Sequence, residues 1–154
     1  MDRRKKHFML YIEQIVTSFI ASAAFGIIFN VPKESIIKCG FTGMAGWITY
    51  IALFEHKVDM ILATAAASFL VALLSQVFAR MYKTPIIIFT VGGIIPLVPG
   101  GMAYDAMRNF VENDYYAALT LAAKAFMISG SIAIGLVFSE VINQIMKKSQ
   151  VKRV

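Results

Sequence analysis

Charged and polar side chains inside apolar stretches are the residues of this sequence best suited to chemistry. Glu13 lies in a long apolar run with Thr17 four residues later, and Gln14, Ser18 and Ser22 repeat at the same spacing on the adjacent stripe. Residues four apart share one face of a helix, so these side chains form a polar side about three turns long. Two interpretations stay open. The face could line a water-filled path, with Glu13 as a proton or cation site, or it could form hydrogen bonds to a neighbouring helix.

Three more charges lie within apolar segments, namely Lys38, Lys124 and Glu140. Lys38 and Glu140 stand close to the ends of their segments, where a long side chain can extend to the membrane surface. Lys124 stands deeper, roughly 10 Å into its segment at the rise of a helix. It can reach the surface in the same way, or it can attract an anionic substrate.

The stretch after residue 83 combines apolar residues with helix breakers. Thr84-Pro85 predicts a helix start, with the Thr84 hydroxyl as cap and Pro85 at the first helical position. The prolines and glycines that follow are Gly92, Gly93, Pro96, Pro99, Gly100 and Gly101. Proline costs about 3 kcal/mol and glycine about 1 kcal/mol in a helix interior. We therefore expect a helix, a break near residues 99–101 and a short helix from Met102 to about Phe110.

Such a break has a functional and a structural interpretation. Backbone groups that lose their partners at membrane depth must be buried in protein or line an aqueous cavity. Transporters aim broken helix ends and free carbonyls at their substrates, and Tyr104 and Asp105 follow directly and can supply hydrogen-bonding groups. The alternative is a helix kinked for packing, or a turn at the membrane surface.

The sequence carries no signature of an enzyme, a metal site or a nucleic-acid-binding protein. His7 and His56 lack the spacing of metal ligands. The glycine pairs lack the Gly-Lys-Ser/Thr of a phosphate-binding loop, and no serine stands in a nucleophile elbow. We therefore expect no enzymatic activity, no cofactor and no metal. The net charge of +6 comes largely from clusters at the two ends of the chain, which suit anionic lipid headgroups better than nucleic acid.

The composition requires a lipid environment. Apolar residues make up 58% of the chain and charged residues 16%, against about 45–50% and about 25% in soluble domains. One integral membrane domain over residues 1–154 is predicted, with spans at about 8–29, 36–54, 60–82, 85–110 (broken) and 117–145. The predicted fold class is all-α: a polytopic membrane helix bundle of four to five transmembrane helices, one interrupted by the Pro-Gly break.

Two of the spans carry rows of small residues at four-residue spacing, which predict faces for close helix packing. The rows are Thr64, Ser68 and Ala72, and Ser131, Gly135 and Ser139.

The number of crossings is left open by the basic clusters at both ends of the chain. The positive-inside rule would place both clusters in the cytoplasm, which requires an even number of crossings. Either the fourth segment is re-entrant or incomplete, or the C-terminal cluster violates the rule.

Two stretches of the sequence resemble the ThrE-type threonine/serine exporter family. They are Phe29-Asn30-Val31-Pro32 at the end of the first span and the run IPLVPGGMAY over residues 95–104. More narrowly, the chain is similar to the small subunit of the two-component form, in which the C-terminal half of the single-chain exporter is a separate protein. The resemblance implies a secondary exporter, a larger hydrophobic subunit as partner and a bacterial inner membrane.

The residues and the resemblance together predict an exporter subunit. It would move threonine/serine-type amino acids or small carboxylates out across the cytoplasmic membrane by alternating access, with Glu13 as the candidate for proton coupling. The predicted partners are the larger subunit, the lipid bilayer and a small-molecule substrate, and a homo-oligomer stays open. The alternative is a non-transporting membrane scaffold or assembly subunit. The candidates for the substrate path or coupling are Glu13, Gln14, Asn30, Pro96, Pro99, Gly100, Gly101, Tyr104, Asp105 and Lys124.

Overall fold

The protein folds into helices joined by short turns. The computed structural model describes residues 3–151, with side chains from residue 9 to residue 145. The side chains of the basic clusters at residues 3–6 and 147–153 lie outside this description. The helices are α1 (Arg3–Ile28), α2 (Lys33–Glu55), α3 (Met60–Tyr82), α4 (Ile86–Ile94), α5 (Gly100–Val111) and α6 (Tyr115–Val151), with a 3₁₀ turn at Ile95–Leu97.

These elements confirm the predicted fold class. Within residues 3–151 there is no strand. Four helices are long and apolar enough to cross a membrane, or five if the bent pair Ile86–Leu97 and Gly100–Val111 counts as one span. The two parts of that pair meet at an angle of 53°. The protein is therefore an all-α, multi-pass membrane bundle with one broken span.

Glycine residues allow α2 to pack closely against its neighbours. A Cβ atom on Gly43 would lie only 1.8 Å from the hydroxyl oxygen of Ser22 in α1. A Cβ atom on Gly46 would lie 2.4 Å from the side chain of Val71 in α3. Larger residues at these positions would push the helices apart, so the glycines set the distances at which α1 and α3 approach α2.

The break in the fourth span lies earlier than predicted. α4 ends at Ile94, and α5 begins at Gly100 rather than at Met102. Pro96 lacks the N–H that an unbroken helix would offer to the carbonyl of Gly92 four residues earlier. Gly100 and Gly101 belong to the first turn of α5, and neither has a positive φ. The break is thus caused by Pro96 and Pro99, while the two glycines accept helical geometry.

The start of α4 also differs from the prediction. Pro85 occupies the N-cap position, one residue before the helix, and no side chain caps it. The Thr84 hydroxyl is buried and has no hydrogen-bond partner among the described residues. The preceding residue, Lys83, has a φ of 51°, so the chain ends α3 in a left-handed turn instead of entering α4 through a Thr84 cap.

α3 and α6 pack against each other in parallel through the predicted rows of small residues. A Cβ atom on Gly135 would lie 2.1 Å from the hydroxyl oxygen of Ser68. Further along both helices, the side-chain amide of Gln76 donates to the hydroxyl of Ser139 at 3.1 Å. The absence of a side chain at Gly135 lets the helices approach, and the buried hydrogen bond sets their register.

The first turns of α1 and the last turns of α6 lie at opposite ends of the bundle. Tyr11, near the start of α1, donates a hydrogen bond to Glu55 at the end of α2. Asn143, near the end of α6, accepts one from Arg80 at the end of α3. Because α2 and α3 run in opposite directions, these two contacts mark the two ends of the bundle.

The fourth segment passes from one of these ends toward the other. Phe89 of α4 packs on Phe78 near the end of α3, with ring centroids 5.8 Å apart. Leu97 in the 3₁₀ turn lines a cavity together with Met60, the first residue of α3. This path favours five passes over a fourth segment that returns to its own side.

Candidate functional site

A cavity lies where the fourth span breaks, and it is called the inner cavity below. Its volume is about 140 Å³. The polar residues that line it are Trp47, Tyr50 and Thr64. The lining residues are Trp47, Tyr50, Met60, Thr64, Pro96, Leu97, Val98, Pro99, Met102 and Ile128. Five elements therefore meet at the break, and α2 supplies the aromatic wall.

That aromatic wall is held in place from two directions. The Trp47 ring stacks on Tyr50 at 5.3 Å between centroids, and Tyr50 stacks on Phe54 at 5.9 Å. The indole N–H of Trp47 donates to the side-chain oxygen of Gln14 at 2.8 Å. Because one face of the indole is stacked and its only donor is bonded, the orientation of Trp47 in the cavity wall is restricted.

A second, wider space adjoins the inner cavity at the end of the bundle where α3 begins, and it is called the outer cleft. Its volume is about 290 Å³. It shares Met60, Met102 and Ile128 with the inner cavity, so these three side chains form the partition between the two spaces. Two charged residues, Asp59 and Lys124, also line the outer cleft.

The predicted polar side of α1 separates into an inner and an outer stripe. Gln14 reaches Trp47, and Ser18 and Ser22 are buried. Glu13 is exposed on the other stripe, where the Thr17 hydroxyl donates to its backbone carbonyl at 2.7 Å. The structure therefore brings Gln14 to the inner cavity through Trp47 and leaves Glu13 on the outer surface of this chain.

Asn30 has a conformational role at the end of α1. Its φ is 53°. Its N–H donates to the carbonyl of Ile27 at 3.0 Å, and the N–H of Val31 donates to that of Gly26 at 2.9 Å. This pair of hydrogen bonds is the Schellman motif, in which a left-handed residue ends the helix and satisfies its last carbonyls. Asn30 is exposed at this turn and does not line the inner cavity.

Tyr104 and Asp105, which follow the break, do not line the inner cavity. Tyr104 is 68% exposed, and Asp105 pairs with Arg108 at 4.0 Å. A Cβ atom on Gly100 or Gly101 would meet nothing within 4 Å. No contact within the described residues therefore explains why glycine occupies these two positions.

The remaining intramembrane charges have local partners. The Lys38 ammonium lies 3.3 Å from the centre of the Tyr82 ring, a cation–π contact between α2 and α3. Glu140 accepts a hydrogen bond from Gln144 at 3.3 Å, one turn later on α6. Both side chains lie toward the ends of their helices, where a long side chain can extend to the membrane surface.

Sequence reasoning missed the aromatic wall and Asp59. Trp47 is the only tryptophan of the chain, and Tyr50 and Phe54 follow at the three- and four-residue steps that put side chains on one helical face. That spacing could have identified the wall. Nothing in the sequence connects Asp59, at the start of α3, to Lys124 in α6. Within the described part of the chain, no group of three His, Cys, Asp or Glu side chains could hold a metal ion.

Comparison with known proteins agrees with this architecture. The family model described as Threonine/Serine exporter, ThrE, matches residues 14–142, which include most of the first and last spans, all of those between them, and every residue that lines the two spaces at the break. No solved structure matches the chain. A match over well more than half of its length shows that the chain belongs to the ThrE family of threonine/serine exporters.

Proposed function

We propose that this protein is one subunit of a secondary exporter in the inner membrane of a bacterium. It moves threonine/serine-type amino acids or small carboxylates out of the cell together with a larger membrane subunit. The observation that carries the proposal is the inner cavity, because it forms at the broken span and has polar groups among apolar walls. Membership of a transporter family supports the same conclusion.

The size of the inner cavity suits a small metabolite. Its volume of about 140 Å³ is well below the roughly 300–1,000 Å³ of sites for drug-sized ligands. The Tyr50 hydroxyl and the backbone of Pro96–Pro99 offer hydrogen bonds to a substrate of a few heavy atoms, and the Thr64 hydroxyl, which donates to the carbonyl of Met60 at 2.8 Å, can accept one. The proposed route runs through the outer cleft and past the shared residues Met60 and Met102.

The outer surface of α1 supports the need for a partner subunit. A carboxylate deep in a bilayer costs about 2.5–3.5 kcal/mol on insertion scales. Glu13 is exposed in the span Met9–Ile28, with no ion-pair partner among the described side chains. A polar or basic group of the larger subunit would lower this cost, and it would give Glu13 the partly buried setting that proton exchange requires.

In the proposed mechanism the broken span moves relative to α2. The 3₁₀ turn and the extended residue Val98 separate two rigid helices, so the angle between α4 and α5 can change without unfolding either helix. A change in this angle would shift Pro99 and Met102 relative to Trp47. The inner cavity would then open toward one membrane face at a time.

A scaffold subunit is the second candidate, and one observation favours it. The carbonyl oxygen of Gly92, which loses its usual donor at the break, faces Gly43 of α2, and Gly92 does not line the inner cavity. This arrangement stabilises the helix packing and supplies no ligand to a substrate. A non-transporting subunit would keep such packing and would not need the inner cavity.

An export assay separates the two candidates. Host cells lacking this gene are loaded with a threonine- or serine-containing dipeptide or with succinate, and metabolite levels are followed inside and outside. Complementation uses this chain alone, the larger subunit alone and both together. Export that returns only with both establishes an obligate exporter subunit. A scaffold would instead leave every loaded metabolite independent of this chain.

A further inference from the structure

The outer cleft has an unusual distribution of charge. Asp59 and Lys124 are its only charged residues, and the other side chains that line it are methionine, leucine and isoleucine. Among the described side chains, the ion pairs are those of Arg108 with Asp105 and Glu112. Asp59 and Lys124 therefore share one apolar cleft without forming an ion pair with each other.

The local geometry leaves both groups available to a ligand. One carboxylate oxygen of Asp59 accepts the N–H of Ile61 at 2.9 Å and so caps α3. The second oxygen has no hydrogen bond to a described residue. The ammonium of Lys124 carries three donors, and the side chain is exposed toward the cleft.

From this arrangement we propose that Asp59 and Lys124 recognise the two charged ends of a zwitterionic amino acid at the entrance to the inner cavity. This inference rests on the proposed export function and names the residues that recognise the substrate. Lys124 binds the α-carboxylate, and the free oxygen of Asp59 binds the α-ammonium. The side chain of the substrate then points past Met60 and Met102 toward the hydroxyls of Tyr50 and Thr64.

The same pair of charges discriminates against the alternative substrates. A dicarboxylate would bring its second carboxylate toward the carboxylate of Asp59, and like charges repel each other. An N-acylated amino acid lacks the ammonium that Asp59 binds. The arrangement therefore favours amino acids over small dicarboxylates.

The chain offers a matched pair of variants to test this proposal. Asp59→Asn removes the negative charge and keeps a good N-cap, because asparagine caps helices as well as aspartate does. Asp114→Asn makes the same change at the start of α6, where the Asp114 carboxylate accepts the N–H of Ala117 at 3.1 Å. Asp114 does not line the outer cleft, so the control separates loss of charge in the cleft from loss of charge at a cap.

Transport is measured in host membrane vesicles, which keep the whole exporter together. The probes are L-threonine, N-acetyl-L-threonine and succinate, each compared with vesicles from a deletion strain. Asp59→Asn is expected to reduce the preference for L-threonine over both other probes at least about tenfold, while Asp114→Asn leaves it unchanged. Lys124→Gln is expected to lower transport of L-threonine to a similar extent.

The possible results separate failure of the zwitterion proposal from failure of the proposed export function. An unchanged preference in Asp59→Asn, or equal effects of Asp59→Asn and Asp114→Asn, would overturn the zwitterion proposal and leave the exporter intact. Wild-type transport of succinate without L-threonine would do the same. If no probe depended on this chain in wild-type vesicles, the proposed export function itself would fail.

Discussion

The carbonyl oxygen of Gly92 points at Gly43, 3.3 Å from the position that a Cβ atom would occupy there. In an unbroken helix this oxygen would accept the N–H of residue 96, but Pro96 has none. The oxygen instead faces the position at which a side chain of residue 43 would begin. A break that would be costly in lipid is thus placed where α2 has no side chain, so α2 covers the freed carbonyl.

This packing makes Gly43→Ala strongly destabilising. The new methyl group would lie 1.8 Å from the hydroxyl oxygen of Ser22, and overpacking of this kind costs about 1–3 kcal/mol. Gly130→Ala is the control, because a Cβ atom there meets nothing within 4 Å, and replacing glycine inside a helix is expected to be neutral or stabilising. Thermal unfolding in detergent measures both variants.

Combining Gly43→Ala with Ser22→Gly identifies the cause, because the second change removes the side chain that clashes. The double variant should recover part of the lost stability. Equal stability of Gly43→Ala and Gly130→Ala would contradict the predicted close contact between α1 and α2.

The hydrogen bond from Trp47 to Gln14 should stabilise the wall of the inner cavity. Trp47→Phe keeps an aromatic ring and leaves the Gln14 oxygen without its donor, at an expected cost of about 1–3 kcal/mol. In a double-mutant cycle with Gln14→Leu, the two changes should be coupled by roughly 0.5–3 kcal/mol. Additive effects on unfolding would show that the two side chains do not interact.

The sequence predicted the structure correctly where a local pattern of residues is compatible with only one kind of packing. The small-residue rows predicted packing faces, and Ser68 and Gly135 meet across α3 and α6. It failed where geometry depends on tertiary contacts. Glu13 and Gln14 are neighbours in the chain, yet only Gln14 faces the bundle, because α2 covers one of the two adjacent stripes.

The candidate site shows the same division. The prolines identified the break, because proline excludes a regular helix whatever surrounds it. The aromatic partner of the break lies on α2, and Asp59 reaches the same region through the start of α3. Bringing these elements together depends on helix packing, which a single stretch of sequence does not encode.

Glu13→Gln tests the predicted role in coupling. The variant should assemble normally, because Glu13 is exposed and its side chain has no hydrogen bond to a described residue. Proton-coupled export should be lost, because an amide cannot exchange a proton. Glu140→Gln is a control, since Glu140 is also exposed in a span. Normal export by Glu13→Gln, measured as in the complementation assay, would remove Glu13 from the mechanism.

The direction of α6 can be measured with cysteine variants and a membrane-impermeant maleimide. The native Cys39 is buried and should remain unlabelled. Cysteines that replace His56 and Glu112 should be labelled from one side of the membrane. Cysteines that replace Glu34 and Gln144 should be labelled from the other side. The reason is that α6 runs parallel to α3, because the contacts of Ser68 with Gly135 and of Arg80 with Asn143 follow the same order along both helices. If the fourth segment were re-entrant, α6 would run in the opposite direction. The cysteines at positions 112 and 144 would then be labelled from the opposite sides of the membrane, while labelling at positions 34 and 56 would not change. Labelling from each side in turn, in sealed vesicles of known orientation, therefore decides between five crossings and four without reference to the basic clusters, which compete at the two ends of the chain.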